Sequence, residues 1–251
     1  MKRVYLDYAA TTPLDPRVLQ AMMPFFKDKF GNPSSIHFWG QEARTAVENA
    51  REQVAKVLRC SPREVIFTGT ITTSDNLAIQ GVMRAARSNH LVTSAVEHHA
   101  VLDTCQALEK EGFKLTILPV DKNGLVNPKD VEKAINEKTV LMTIMYANNE
   151  VGTIEPIKAI SKITKKNNVL FHTDAATVVD YLDINVEKLG VDLMTIGAHK
   201  FAGPKGVGVL YVRTGIEIKP LIFGGHHEKG LWPGTEAVAL IVGMAKAMEI
   251  A

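Results

Sequence analysis

Cysteine is scarce: Cys60 and Cys105 are the only two in 251 residues. That is too few for a disulfide framework and suits a reducing cytosol, so the expected localisation is cytoplasmic. Long apolar runs are missing as well. None reaches the roughly 18 residues that a membrane-spanning helix needs, and the start lacks the charged-then-apolar pattern of a secretory leader. Excess charge is also lacking: 29 basic and 27 acidic residues leave a formal net charge of +2, which offers no footing for nucleic acid or a membrane surface. There are no internal repeats, low-complexity tracts or linkers. The histidine pairs His98-His99 and His226-His227 stand at no recognised zinc spacing, and no metal is expected.

What is present is an ordinary globular composition, 46% apolar and 22% charged, long enough for one large domain or two smaller ones. The opening stretch from Val4 to Pro13 reads as a short extended piece ending in a turn. Asp15-Pro16 then supplies a cap followed by proline at a first helical position. An amphipathic helix runs from about Gly40 to Leu58, with Ala43, Ala46, Val47, Ala50, Val54, Val57 and Leu58 on one face. Ser61-Pro62-Arg63-Glu64 has the pattern of a capped single turn before the strand Val65–Thr68. A helix follows from Ser74 to about Arg87, and from there strands and helices alternate. Strand candidates are Leu91–Val96, Lys114–Val120, Val140–Tyr146, Val169–His172, Leu193–Ile196 and Val207–Val212. Helix candidates lie near His99–Glu111, Pro128–Asn136 and Pro156–Lys166. This order predicts an α/β fold: a mostly parallel sheet with helices on both faces, α/β/α in three layers. Thr235 to Ala251 is apolar at helical spacing and ends without a glycine or asparagine cap, so the chain is expected to continue past it.

In such a sheet, ligands sit beyond the carboxyl ends of the strands, and the polar residues there form a series. Thr72 precedes the Ser74 helix, where hydroxyls and free amides suit a phosphate or simply cap the helix. His98 follows the next strand; its ring suits stacking on a planar heterocycle, or a solvated loop. Asn149, within Asn148-Asn149-Glu150-Val151-Gly152, reads either as a ligand contact or as turn chemistry. Asp174 closes a buried strand, which is costly unless it meets a cation or several donors. A protonated pyridine nitrogen is such a cation; capping the next turn is the plainer alternative. Lys200 lies in the glycine- and proline-rich turn Gly197–Gly206, after the apolar run Val191–Ile196. At the mouth of a buried strand its amine is partly desolvated, which favours the neutral form that condenses with a carbonyl. A surface amine on a loop is the alternative. Singly these signals are unspecific. In this order they make the set a pyridoxal-phosphate site requires: a phosphate anchor, a ring support, a counter-ion and a Schiff-base amine.

With those residues placed, the chain resembles the cysteine desulfurases of the class V aminotransferase group, from Tyr5 to its C-terminus. The resemblance is carried by Tyr5-Leu6-Asp7-Tyr8-Ala9-Ala10-Thr11-Thr12-Pro13, Gly31-Asn32-Pro33-Ser34-Ser35-Ile36-His37, Asn148-Asn149-Glu150-Val151-Gly152, His172-Thr173-Asp174-Ala175 and Ala198-His199-Lys200-Phe201 through Gly208. It implies a pyridoxal-phosphate-dependent transferase-like large domain over residues 15–251. Residues 1–14 would belong to a small domain whose C-terminal part is missing. Lys200 and His98 would be the catalytic pair, Lys200 holding the cofactor and shuttling the alpha proton while His98 stacks on the ring. Asp174 would pair with the ring nitrogen, and Thr72 and His199 would hold the phosphate. Asn149 would sit near the substrate carboxylate or the cofactor, and Thr177 would stand where the family has a glutamine beside the cofactor's phenolic oxygen. Thr235, after Gly234, would reach the partner subunit's phosphate across a homodimer.

The implied reaction removes sulfur from L-cysteine, giving L-alanine and an enzyme persulfide. Its implied setting is iron–sulfur cluster assembly, with a sulfur acceptor or scaffold protein as partner. Some residues depart from the family's pattern: Thr70 and Ile71 replace small residues, Gly197 replaces a serine, and Trp232-Pro233 replaces an arginine and a small residue. These departures predict a weaker phosphate anchor. The persulfide-accepting cysteine and the arginine for the substrate carboxylate lie in the family's C-terminal domain, so this chain alone is not expected to complete the reaction. The same residues also admit a non-catalytic homologue that dimerises or binds partners, and a related lyase or aminotransferase using the same cofactor.

Overall fold

The computed structural model describes residues 3–251. Among them seven strands form one sheet: β1 Val65–Thr68, β2 His90–Ser94, β3 Lys114–Leu118, β4 Thr139–Thr143, β5 Leu170–Asp174, β6 Leu193–Gly197 and β7 Gly208–Val212. Their order is β1-β7-β6-β5-β4-β2-β3. Every pair from β3 to β6 is parallel, while β7 runs antiparallel to both β6 and β1. β1 therefore points the same way as the parallel strands. The helices are α1 Pro16–Met22, α2 Pro24–Lys27, α3 Phe38–Leu58, α4 Ile71–Ala85, α5 His99–Lys110, α6 Pro128–Ala134, α7 Ile157–Lys166, α8 Val186–Leu189 and α9 Val238–Ile250.

Successive side chains of a strand point to opposite faces, and this alternation sorts the sheet into two cores. Val65, Phe67, Val92, Met142, Met194 and Val209 pack with α1, α3, α7 and α9, whereas Ile66, Leu91, Leu141, Leu193 and Leu210 pack with α4 and α5. The expected three layers follow. On α3, Ala43, Val47, Ala50, Val54 and Leu58 of the sequence-predicted face are buried. The capped turn also forms: Ser61 and Glu64 satisfy each other's backbone amides directly before β1. No helix among the described residues is long and apolar enough to cross a membrane.

One buried charge pair locks the loop ahead of α9. The Arg51 guanidinium of α3 donates to Glu228 Oε1 (2.7 Å) and Oε2 (2.8 Å) and to the Val65 carbonyl (2.9 Å). Glu228 Oε2 also accepts from the Phe67 amide (2.8 Å). Glu228 and Lys229 both hold left-handed backbone, φ 46° and 61°. Bidentate pairing of this kind is strong enough to keep two side-chain-bearing residues there.

The structure corrects the start of one helix that matters for the site. α4 begins at Ile71, not at Ser74, and Thr70 is its cap. Thr70 Oγ1 accepts from the Thr73 amide (3.1 Å), and Thr73 Oγ1 accepts from the Thr70 amide (2.8 Å). Two threonines thus form the reciprocal box usually built with glutamate, and the β-branched run Ile71-Thr72-Thr73 hides it from a propensity argument. Thr72 therefore lies inside the first turn, not ahead of it. α9 likewise starts at Val238 rather than Thr235. α8, capped by Asn185 and closed by left-handed Gly190 (φ 74°), is a single turn too short to show a period.

Candidate active site

The parallel strands bring their carboxyl ends to one edge of the sheet, and a cavity of about 350 Å³ opens there. Thr72, His98, Asn149, Asp174, Thr177, His199 and Lys200 meet in its wall, joined by Ala10, Thr70, Ile71 and Met145. Thr235 does not reach it; that residue lines a separate cavity of about 200 Å³ with Trp232 and Glu236. Two other clefts are larger, about 430 and 570 Å³, but they lie on helix and loop surfaces away from the strand ends.

Lys200 stands in the single turn after β6. Its Nζ donates to the carbonyls of Ala9 (2.6 Å) and Ala10 (3.0 Å). Burial pulls its amine below the ordinary lysine range, against the opposing pull of Asp174, Asp7 and Glu150. The neighbouring backbone is held by the opening segment. The Thr12 amide and hydroxyl donate to the His199 carbonyl (3.0 and 2.9 Å), and Thr12 Oγ1 accepts from the Ala202 amide (2.8 Å). His199 Nδ1 meets Thr11 Oγ1 at 3.1 Å. Burial, with Lys200 and Lys205 nearby, draws the His199 imidazole below its usual range.

Asp174 ends β5 at the floor of the cavity. Its Oδ1 accepts from the Ala176 amide (2.8 Å), the turn cap of the plainer reading. Burial pushes the carboxyl up, and the Ala176 amide, His98 and Lys200 pull it partly back. A second carboxyl lies behind it. Asp75 of α4 is fully buried and accepts from Thr195 Oγ1 at 2.6 Å, and Thr195 is the cross-strand partner of Asp174. Burial and then the charge of Asp174 raise Asp75 well above the carboxylate range. His172 Nε2 lies 3.7 Å from Asp75 Oδ1, but burial lowers this imidazole to about 3, so it is neutral and offsets neither acid. Lys200, in the wall of the same cavity, is the positive group that faces Asp174, and it offsets the buried carboxyl only in part.

The other walls carry both capping contacts and side chains turned to the cavity. His98 caps α5, its Nδ1 accepting from the Ala100 amide (3.0 Å), while its ring faces the cavity. Turn chemistry belongs to Asn148, whose Oδ1 accepts from the amides of Glu150 (2.9 Å) and Val151 (3.0 Å). Asn149 is left to the cavity, with Nδ2 on Glu150 Oε1 at 2.7 Å. Thr177 donates to the Ala147 carbonyl (3.2 Å). At the far end, Ile71 and Thr72 contribute first-turn amides of the kind a helix leaves unpaired. The set fits a planar, cationic ring carrying a phosphate: an acid for the ring, an imidazole wall, a helix amino end for the anion and an amine across from it.

Sequence reasoning missed the Ala9 and Ala10 carbonyls, Asp75, Thr195 and the role of Glu97. Asp75 adjoins Ser74, the expected helix start, and Glu97 adjoins His98, which is the one signal that pointed to them. Glu97 Oε1 accepts from Ser94 Oγ (2.6 Å) and the Met145 amide (3.0 Å), and Oε2 has no partner among the described residues. Burial pushes this carboxyl from 4.5 up to about 8. Between those pH values the folded chain keeps a proton that the unfolded chain has lost, so stability falls as pH rises through the window. Glu97→Gln keeps an oxygen for Ser94 and Met145 and is expected to remove that decline. Its unfolding midpoint should match the parent's at roughly pH 5 and exceed it by several degrees above pH 8. A difference independent of pH contradicts this role.

Residues 4–251 match the family described as aminotransferase class-V. The cysteine desulfurase IscS of Dictyoglomus turgidum is 57% identical over 254 residues, covering 100% of this chain and 64% of that protein. IscS of Clostridium botulinum is 48% identical over 252 residues with the same coverage, 100% and 64%. The chain spans somewhat less than two thirds of the length of these curated relatives. Among solved structures, a NifS-like protein has a TM-score of 0.97 at 47% identity, covering 99% of this chain and 69% of that one. SspA in complex with cysteine has a TM-score of 0.95 at 43% identity, covering 98% and 72%. The chain belongs to the aminotransferase class-V family.

Proposed function

We propose that this chain is the cofactor-binding large domain of a cysteine desulfurase, acting on L-cysteine through pyridoxal phosphate. The observation that carries the reading is the meeting, in one strand-end cavity, of a lysine lowered by burial and a carboxyl raised by burial that Lys200 offsets only in part. Pyridoxal phosphate, the cofactor of the class-V family, supplies an electrophilic aldehyde and a protonated ring that draws electrons from the substrate's alpha carbon. Asp174 holds the proton on the ring nitrogen, and His98 covers the ring face. The amino end of α4, with Thr72, binds the phosphate together with His199, while Asn149 and Thr177 orient substrate and ring edge. Lys200 Nζ leaves the carbonyls of Ala9 and Ala10 to accept the substrate's alpha proton and return it.

Sulfur transfer also needs an accepting thiol. Cys60 and Cys105 do not suit: burial pushes both up to about 12, so neither offers a thiolate at neutral pH. We assign that thiol to the portion of the relatives' length that this chain does not span. In this reading residues 15–251 are the large domain and residues 1–14 belong to the small one. The protein works as a cytoplasmic homodimer that passes sulfur to an iron–sulfur scaffold or other acceptor. Thr235 lines a separate cavity of its own chain, which in this reading leaves it to act at the partner's phosphate. Titration of the purified chain with pyridoxal phosphate is expected to saturate and to give an absorption band that shifts on adding L-cysteine. Titration without saturation contradicts the proposal.

A further inference from the structure

Two glycines face each other across the last two strands of the site: Gly197 ends β6 and Gly208 begins β7, and they are register partners. Neither needs the conformational freedom of glycine. Gly197 is extended (φ -131°, ψ 128°), and Gly208 has no left-handed φ. What both provide is space. A Cβ on Gly208 would stand 2.7 Å from the Thr70 carbonyl oxygen and 2.8 Å from its carbon. A Cβ on Gly197 would overlap Cγ1 and Cδ1 of Ile71. Thr70 and Ile71 are the cap and first residue of α4. The glycine pair is thus a notch in the sheet into which the amino end of α4 is seated, and Ile71 is the side chain that fills it.

Ile71 also lines the cavity, whereas Gly197 does not. The isoleucine side chain therefore stands between the end of β6 and the place where a ligand sits. In a helix a β-branched side chain is held largely to one χ1 rotamer, so it cannot turn aside freely. We infer that Ile71 is a positioning residue: keyed into the Gly197–Gly208 notch, it fixes where the first-turn amides of α4 present themselves to the phosphate of the ligand. This rests on the pyridoxal-phosphate reading above.

The experiment compares pyridoxal phosphate with pyridoxal, which lacks the phosphate, in binding titrations of the parent, Gly197→Ala, Ile71→Ala and the double variant. Gly197→Ala overpacks the notch and is expected to weaken pyridoxal phosphate roughly tenfold or more. Its effect on pyridoxal should stay within about threefold, because the ring end of the cavity is untouched. Removing the key should relieve the overlap, so Ile71→Ala/Gly197→Ala should bind pyridoxal phosphate more tightly than Gly197→Ala alone. Thermal unfolding without ligand should show the same non-additivity. If Gly197→Ala does not fold, the double variant, expected to fold and bind, carries the comparison against Ile71→Ala. Equal losses for both ligands, unchanged affinity in Gly197→Ala, or no relief in the double variant overturns the inference. A parent chain that binds neither ligand overturns the cofactor reading instead, and additive unfolding shifts then overturn the notch separately.

Discussion

Asp174→Asn is expected to make the folded chain more stable and the site far weaker. The asparagine oxygen can still accept from the Ala176 amide, the one hydrogen bond that Asp174 makes to the turn. The negative charge is lost, and with it the cost of burying that charge, less the pull of His98 and Lys200 on it. Relief worth about 1 kcal/mol raises the unfolding midpoint of a domain this size by roughly 2–4 °C. Ligand binding moves the other way, because a charge-assisted hydrogen bond to the ring nitrogen contributes about 1.5–3 kcal/mol. Affinity for pyridoxal phosphate should therefore fall roughly tenfold to a hundredfold. The opposite signs of the two changes are diagnostic. A variant that loses stability and keeps its affinity would mean that Asp174 serves the turn alone.

Lys200→Ala should be more severe. Among the described residues the amine is the only one lining the cavity, and burial keeps it below the ordinary lysine range. Without it the alpha proton has no acceptor at that position, and positioned acid–base groups contribute roughly 10²–10⁴-fold. Exchange of the alpha hydrogen of L-cysteine with deuterium oxide, in the presence of pyridoxal phosphate, should slow by that factor. Lys200→Arg should not recover it, because a guanidinium does not deprotonate in this range. The fold should survive: the opening segment keeps its bonds from Thr12 to His199 and Ala202 when the bonds from Lys200 to Ala9 and Ala10 are gone. Exchange in Lys200→Ala at the parent's rate would remove Lys200 from the chemistry.

The parts of this site that local sequence carries were legible from the chain. Strands buried on both faces stand out as apolar runs, so the strand ends, and with them His98, Asp174 and Lys200, could be placed in order. The start of α4 could not. Ile71-Thr72-Thr73 is β-branched throughout, and the reciprocal cap from Thr70 appears only once side chains are in place. Long-range partners were equally silent. Thr195 lies 120 positions from the Asp75 carboxylate it bonds, and the carbonyls that hold Lys200 are main-chain atoms 190 and 191 positions away. Ile71 and Gly197 read in sequence as two separate departures from a family pattern. In the fold they are one contact, since the space that Gly197 leaves is the space that Ile71 fills.

The most direct measurement is borohydride reduction of the chain incubated with pyridoxal phosphate, followed by peptide mass spectrometry. The chain carries 29 lysines and arginines together, so the site of attachment is informative. A secondary amine carrying the cofactor is expected on Lys200, at near-stoichiometric yield, and not on Lys205 or Lys229, as fragment ions within the peptide distinguish. Substoichiometric labelling scattered over surface lysines, with Lys200 unmodified, would contradict the assignment of this cavity as a pyridoxal-phosphate site.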